Sequence, residues 1–218
     1  MAHSVASPSS DRRSRRSTEL RGRILRAALD LFAQKGFAET TVEDITNAAD
    51  VGKGTFFNYF PSKDHVLVAF GEMQLARFRS AVEEARKTNE PLPEFYRSLA
   101  TLMTAEPSRN PDLIRALLQA FISNTDVRRA MMDLQTRVLE LHAEMIKLGQ
   151  ERGEIRNDLP PAEVGQVFRQ LIFGTLLFWS LYGDNTLQSR IDSAFEIIWK
   201  GLAPRNHSGP PPVVPLFM

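Results

Sequence analysis

Cysteine is absent from the 218 residues, which excludes disulfides, thiolate nucleophiles and cysteine-ligated metal sites. The four histidines stand at positions 3, 65, 142 and 207, without the spacing of a metal site. No glycine-rich phosphate loop follows a strand pattern, and no nucleophile elbow occurs. The sequence therefore predicts a protein that is not an enzyme and that holds neither a metal nor a cofactor.

Long uninterrupted apolar runs are also lacking. The N-terminal stretch MAHSVASPSS has no apolar core, so we do not expect it to be a signal peptide. The most hydrophobic segment, 161–182, is cut by Gln166, Arg169 and Gln170, whereas a membrane span needs about twenty apolar residues. We therefore expect a cytoplasmic protein with no membrane partner.

The chain has no stretch in which strand-forming residues alternate with polar ones. Apolar residues instead recur three and four positions apart between proline, glycine and asparagine breaks, which predicts about nine helices. Besides a short helix that contains Val42, Ile45 and Ala49, they are expected at 18–35, 53–59, 62–87, 92–105, 111–122, 126–150, 161–182 and 187–202. The predicted fold is all-α, with an N-terminal three-helix helix-turn-helix domain followed by a helical bundle.

The stretch 40–67 contains the pattern that organises the rest of the chain. A first short helix can be capped by Thr40 or Thr41, because an acidic residue stands three positions after each. Asp50-Val51-Gly52 interrupts the pattern as a turn. The second helix, 53–59, points Phe56 and Phe60 inward, and a proline stops it. A helix, a short turn and a helix form the arrangement whose second member enters the DNA major groove.

The outward positions of the second helix suit DNA recognition. Lys53 supplies a cation for phosphate, and Gly54 lets the backbone approach closely. Thr55 offers a hydroxyl and a methyl group, and Asn58 can pair with adenine through two hydrogen bonds. The candidate DNA-binding residues are Thr41, Lys53, Gly54, Thr55, Phe57, Asn58, Tyr59 and Lys63.

The run from about residue 20 to 67 resembles the DNA-binding signature of the TetR family of bacterial transcriptional regulators. The shared features are an alanine pair, a valine turn, Lys-Gly-Thr, aromatics ending in phenylalanine, and a following lysine-acid-x-x-leucine. Three positions depart from it: Asp50 replaces a turn glycine, Gly52 replaces a serine cap, and Phe57 stands where tyrosine is common. The resemblance implies a dimer formed through the last two helices.

The N-terminal residues 1–17 are rich in serine, proline and arginine, which predicts a disordered basic arm. Between positions 1 and 23, six arginines face Asp11 and Glu19, so this segment carries 6 − 2 = +4 while the whole chain carries +1. Two interpretations stay open: a solvated tail, or an arm whose arginines neutralise DNA phosphates or enter an adjacent minor groove. The proline-rich residues 204–218 are expected to be extended or disordered.

The bundle, predicted at 66–203, should hold a dimerisation face and a ligand site, with the helix-turn-helix domain at 18–65. The helix 161–182 is apolar nearly all round, so it must be buried on several sides. The candidate dimer residues are Leu176, Leu177, Ile191, Phe195 and Ile198. The candidate pocket residues are Phe95, Met103, Phe121, Met145, Phe168, Phe173 and Trp179, although aromatic and methionine side chains at helical spacing more often form plain core. Gly165 and Gly174 would allow close helix packing.

These patterns predict a homodimeric, ligand-responsive regulator that binds a pseudo-palindromic operator in double-stranded DNA and responds to a small apolar ligand. Repression is favoured over activation. The alternative is a helical ligand carrier or interaction protein that keeps the N-terminal helices only as structure. Titration with DNA at stated salt distinguishes the two.

Overall fold

A computed structural model describes residues 8–183 and 186–204, and these residues are helical with short connections and no strand. The helices are α1 (Pro8–Lys35), α2 (Val42–Ala48), α3 (Lys53–Tyr59), α4 (Lys63–Thr88), α5 (Leu92–Thr104), α6 (Pro111–Ser123), α7 (Thr125–Glu151), α8 (Pro161–Tyr182) and α9 (Leu187–Leu202). A single 3-10 turn, Pro107–Arg109, precedes α6. The all-α fold class is confirmed, and every predicted helix is present.

The N-terminal domain packs α2 and α3 against α1. Ile24 and Phe32 of α1, Ile45 of α2, and Phe56 and Phe60 of α3 meet in its core, each at most 1% exposed. These apolar residues recur at helical spacing in all three helices, so each helix is amphipathic and stable only through its neighbours. The domain thereby fixes how α3 is presented to the outside.

Helix α1 begins earlier than the sequence predicts. It starts at Pro8, so residues 8–17, called the N-terminal extension below, are helical where a disordered arm was expected. No apolar periodicity marks these residues, so the sequence pattern predicts a helix only from position 18. Residues 1–7 of the predicted arm and 205–218 of the proline-rich tail lie outside the described residues.

Helix α4 connects the two parts of the molecule. Its first turns bury Val66 and Leu67 in the N-terminal domain, and its later turns bury Phe78 and Val82 in the bundle. It ends at Asn89, whose φ of 54° is the left-handed conformation that asparagine tolerates at a helix end. A movement of α4 would therefore move the N-terminal domain.

The bundle is held by the packing of α8 on α7. A Cβ at Gly165 would lie 2.9 Å from the Cβ of His142, so this glycine permits the close crossing. Gly165 therefore serves packing within one chain, whereas Gly174 has open space beside it. Only Gly174 of the two remains available to a partner's helix.

Candidate nucleic-acid interface

The turn between α2 and α3 is closed by backbone hydrogen bonds. The Val51 amide donates to the Thr46 carbonyl over 3.0 Å, and the Phe56 amide donates to the Gly52 carbonyl over 3.1 Å. Asp50 has a φ of 50°, which explains why glycine is usual at this position of the family pattern. Gly52 stands at the N-cap of α3 without a side-chain hydrogen bond. The turn is therefore formed despite both departures.

Two phenylalanine rings hold α3 in place. Phe56 and Phe60 are buried, and their ring centroids lie 5.5 Å apart. The Arg21 guanidinium lies 5.4 Å from the Phe60 centroid and 2.5 Å from Glu72 of α4. A cation over the ring face adds to the packing. The inward side of α3 thus matches the prediction.

The outward side of α3 is open to solvent. Lys53, Gly54, Phe57 and Asn58 are exposed, and Thr55 is half-buried. A Cβ at Gly54 would meet nothing within 4 Å, so no packing inside the protein requires a glycine there. Phe57 is 52% exposed, so its ring lies on the surface rather than in the core. The structure brings these five predicted residues together on one accessible surface.

Lys53 has an ion-pair partner that the sequence analysis missed. Its Nζ lies 2.9 Å from Oε2 of Glu43 on α2, and both side chains are more than half exposed. A surface pair of this kind contributes little stability, so a phosphate can compete for the ammonium group. Nothing in the local sequence pattern marks a contact between residues ten positions apart across a turn. Glu43 therefore modulates the charge of the interface.

Tyr59 stands at the end of α3, half-buried, with its hydroxyl 3.1 Å from Oγ of Ser17 on α1. This bond orients the ring and joins α3 to the N-terminal extension. Ser17 was not identified from the sequence, because the two residues are 42 positions apart and no local signal joins them.

Lys63 has a different role from the one predicted. Its ammonium group donates to the carbonyls of Phe37, Ala38 and Thr40 at 2.7, 3.2 and 2.8 Å. All three donors are thereby used inside the protein. Burial lowers the pKa of Lys63, and the negative charges of Asp64 and Glu39 offset part of this shift. The expected phosphate contact is wrong for this arrangement, in which Lys63 fixes the connection between α1 and α2.

Thr41 caps α2, and it is one of the two residues, Thr40 and Thr41, that the sequence predicts for this role. Its Oγ1 accepts from the Asp44 amide over 3.1 Å, while the Asp44 carboxylate accepts from the Thr41 amide over 2.7 Å. Hydrogen bonds from Lys35 and Thr41 hold the pKa of Asp44 well below its usual range. Thr41 is exposed beside α3, so its position is compatible with the predicted DNA contact.

The predicted ligand-pocket residues lie at different depths in the described bundle. Phe95, Met145 and Phe168 are at most 2% exposed and pack in the main core. Met103 and Phe121 lie partly buried against the same core. Trp179 belongs to a second cluster, with Leu187, Ile191 and Ala100. Phe173 is 45% exposed, unlike the other candidates, and its place in a pocket stays a prediction.

A polar pair lies inside the aromatic core. The Tyr96 hydroxyl is 3.2 Å from Nδ1 of His142, and the Tyr96 ring stacks on Phe168 with centroids 4.4 Å apart. Burial, with the nearby charge of Arg169, lowers the pKa of His142 to about 4, and burial raises the pKa of Tyr96. The imidazole is therefore neutral, and its Nδ1 shares one hydrogen bond with the Tyr96 hydroxyl. Nε of Arg169 is buried without a hydrogen-bond partner.

An apolar surface lies along α8 and α9. It includes Val167, Phe178 and Ile197, which are 52%, 53% and 75% exposed. A groove of about 810 Å³ that is open to solvent lies between the two helices, beside Gly174. Large exposed apolar patches of this kind mark surfaces that bind a partner. We call this surface the α8–α9 face.

The predicted dimer residues lie only partly on that face. Ile198 lines the groove, and Leu176 and Leu177 are half-buried. Ile191 and Phe195 are 1% and 6% exposed, so they pack in the chain's own core and their assignment to the interface is wrong. Ile197 was missed. Adjacent apolar residues on a helix point in different directions, and Ile197 beside Ile198 was the signal that one of them faces outward.

By length and composition alone, α8 could cross a membrane. Its most apolar window is 28% buried, but one face of the helix packs through Val164, Phe168 and Trp179. A core or interface helix passes the same test, so this feature is weak evidence for a membrane span.

Comparison with known proteins gives a consistent result. The profile of bacterial regulatory proteins of the tetR family matches residues 24–70. The TetR-family repressor FadR of Thermus thermophilus, solved with lauroyl-CoA, is 30% identical, with a TM-score of 0.66 over 88% of this chain and 99% of that one. Escherichia coli regulator UidR is 26% identical over 160 residues, 72% of this chain and 79% of UidR.

The fatty acid metabolism regulator of Bacillus subtilis is 25% identical over 154 residues, 70% of this chain and 77% of that protein. Its match, like that of UidR, extends beyond the DNA-binding segment into the bundle. The relatives are transcriptional regulators rather than enzymes. The chain belongs to the TetR family, and it is a transcriptional regulator that binds double-stranded DNA as a homodimer.

Proposed function

We propose that this regulator is a cytoplasmic, ligand-responsive repressor whose α3 lies in the major groove of each half of a pseudo-palindromic operator. The observation that carries the proposal is the exposed polar side of α3, held outward by Phe56 and Phe60. The two α3 helices of a dimer, called the reader helices below, must lie one helical turn of DNA apart, about 34 Å, or a multiple of it. The similarity to a TetR-family repressor favours repression over activation.

The DNA contacts follow from the exposed groups. Lys53 and Tyr59 reach phosphates, Asn58 pairs with a base edge, and Thr55 contacts a base or phosphate. The remaining contacts come from Thr41, Gly54 and Phe57. The domain limits of 18–65 for DNA binding and 66–203 for ligand binding and dimerisation are part of the proposal, with α1 continuing to Pro8.

The effector is a small apolar compound, and a fatty-acyl-CoA is the first candidate to test. The support comes from the lauroyl-CoA complex of the Thermus thermophilus repressor and from the fatty acid regulator of Bacillus subtilis. The apolar part of such a ligand would enter the bundle by separating the stacked rings of Tyr96 and Phe168. The unpaired Nε–H of Arg169 could then donate to a carbonyl oxygen of the ligand.

The signal reaches the N-terminal domain through α4 and α6. The Asn110 side chain at the start of α6 donates to the Phe32 carbonyl of α1. Nδ2 of Asn124 lies 3.2 Å from Asp64 at the start of α4. A ligand that changes the packing of α4 or α6 would displace the residues in these contacts. The distance between the two reader helices of the dimer would then change. The coupling is reciprocal, so the operator must weaken ligand binding by the same factor.

Titration of the protein–operator complex with lauroyl-CoA tests the effector. Release of DNA, with laurate and free coenzyme A as controls, is the expected result. Tryptophan fluorescence from Trp179 and Trp199 follows binding without DNA. If lauroyl-CoA neither binds nor releases DNA, the acyl-CoA effector is rejected while DNA binding stands. A ligand carrier without specific DNA binding would instead bind lauroyl-CoA and show no operator preference.

A further inference from the structure

The described side chains of the N-terminal extension are exposed, and three of them are cations. Of its side chains, those of Arg12, Arg15 and Arg16 are exposed, and the following residues up to Glu19 are exposed as well. The first half-buried apolar side chain that the structure describes on α1 is Leu20. Exposed cations on a helix attract a partner of opposite charge.

The charge of the extension defines what it would bind. Between positions 8 and 17, four arginines (12, 13, 15 and 16) face one aspartate, Asp11, giving 4 − 1 = +3. The whole chain carries only +1, so the remainder is negative overall. A basic segment of this density attracts a polyanion, and arginine forms two-pronged hydrogen bonds to phosphate.

The position of the extension selects the polyanion. Ser17, its last residue, is 3.1 Å from the hydroxyl of Tyr59 at the end of α3. The extension therefore leaves the domain from the side on which the reader helix ends. Ten residues of α-helix measure about 15 Å, a length that passes several phosphates of a duplex held by α3.

We propose that the N-terminal extension is a second DNA-binding element, a basic helix that binds the phosphate backbone beside each half-site. This inference rests on DNA binding by α3 and adds affinity to it. Phosphate contacts carry no sequence information directly, so the extension strengthens binding to operator and to unrelated DNA by the same factor. The affinity that the extension adds must fall with rising salt, because cations from solution compete for the phosphates.

The test compares two variants that each lose three exposed cations. The first is R12Q/R15Q/R16Q, and the control is R79Q/R137Q/K147Q, with all three changes on α4 and α7 of the bundle. Binding of the full-length proteins is measured from low to high salt, on a duplex carrying the selected operator and on a scrambled duplex. Circular dichroism verifies that both variants keep the folded domains.

The first variant is expected to bind both duplexes at least about tenfold more weakly at low salt. Its slope of log affinity against log salt should fall by up to about 0.9 for each phosphate that the variant no longer neutralises, with the operator preference unchanged. The control should match the wild type. A first variant that binds like the control overturns the proposal and leaves α3 as the reader. Wild type that binds no duplex would overturn the function itself.

Discussion

At the scale of single residues, the interface combines groups that attract DNA with carboxylates that repel it. Glu43 pairs with Lys53, and Asp50 stands exposed in the turn before α3. Each carboxylate lowers the positive charge that the reader helix presents. The Glu43 carboxylate neutralises part of the charge that Lys53 would offer to a phosphate, so we expect Glu43 to tune the affinity of the site.

Substitution of Glu43 by glutamine is expected to raise DNA affinity about three- to tenfold at low salt, because it frees Lys53 and removes a negative charge near phosphate. The gain should shrink as salt is added. Glu83→Gln, on the exposed side of α4, is the control and should leave the affinity unchanged. Binding isotherms at two salt concentrations make the measurement. Weaker binding by the Glu43 variant would contradict this role.

His142 gives the stability of the fold a dependence on pH. In the folded chain its pKa is lowered to about 4, against 6.5 for an unperturbed histidine. Between these values the unfolded chain takes up a proton that the folded chain does not. Stability is therefore full above about pH 6.5, falls as the pH drops towards 4, and loses nothing more from this group below 4. The loss is about 3 kcal/mol, from 1.36 kcal/mol per pKa unit.

His142→Gln keeps an acceptor for the Tyr96 hydroxyl but does not titrate. Urea unfolding at about pH 7, 5.5 and 4.5 should therefore show a flatter pH dependence for this variant than for the wild type. His65→Gln, near the surface on α4, serves as the control and should retain the wild-type dependence. If the His142 variant keeps the full pH dependence, another group is responsible for it.

At the scale of the helical elements, the connection between α1 and α2 depends on Lys63. Lys63→Met leaves three carbonyls without their donor, so the free energy of unfolding is expected to fall by about 1–3 kcal/mol. The salt dependence of DNA binding should stay as in the wild type. Lys53→Met is the matched comparison: it should change stability by less than about 0.5 kcal/mol and reduce the salt slope by about 0.9. Denaturant unfolding and salt titration separate the two effects.

If Lys63→Met instead reduces the salt slope and leaves the free energy of unfolding unchanged, then Lys63 is a phosphate ligand.

The helices could be predicted from sequence because strong local signals mark their ends. Pro160-Pro161 and Gly183 delimit α8, and the bounds of α3 and α9 agree to the residue. The start of α1 was missed, because polar residues show no periodicity. The hydrogen bonds from Lys63 to the connection between α1 and α2 could not be predicted for another reason. They join residues more than twenty positions apart, and a lysine after a helix stop has the same sequence pattern whether it faces DNA or protein.

At the scale of the whole molecule, sequence identifies the helices of the interface better than the faces they use. Both apolar sides of α8 and α9 fit the same spacing, and only the fold shows that Ile191 faces inward while Ile197 faces out. The same reason applies to the predicted pocket, because ring and methionine side chains at helical spacing fit both a core and a cavity.

Ile197→Glu places a charge in the centre of the α8–α9 face. We expect it to shift the dimer to monomer and to weaken operator binding by more than about tenfold, because burying an unpaired carboxylate is costly. Ile122→Glu is the control: it changes a similarly exposed isoleucine, 65% exposed on α6, and should leave the dimer intact. Sedimentation velocity at several concentrations gives the oligomeric state. A dimer that survives Ile197→Glu would place the interface elsewhere.

The central claim is that the outward side of α3 reads base sequence in the major groove. Selection of binding sites from random duplexes, performed in parallel with the wild type and with Asn58→Ala, tests it most directly. The wild type should recover a pseudo-palindrome with half-sites about one helical turn apart. Asn58→Ala should lose the preference at one symmetric position in each half, a discrimination of about 1–3 kcal/mol. An unchanged motif, or no enrichment by the wild type, would contradict the account.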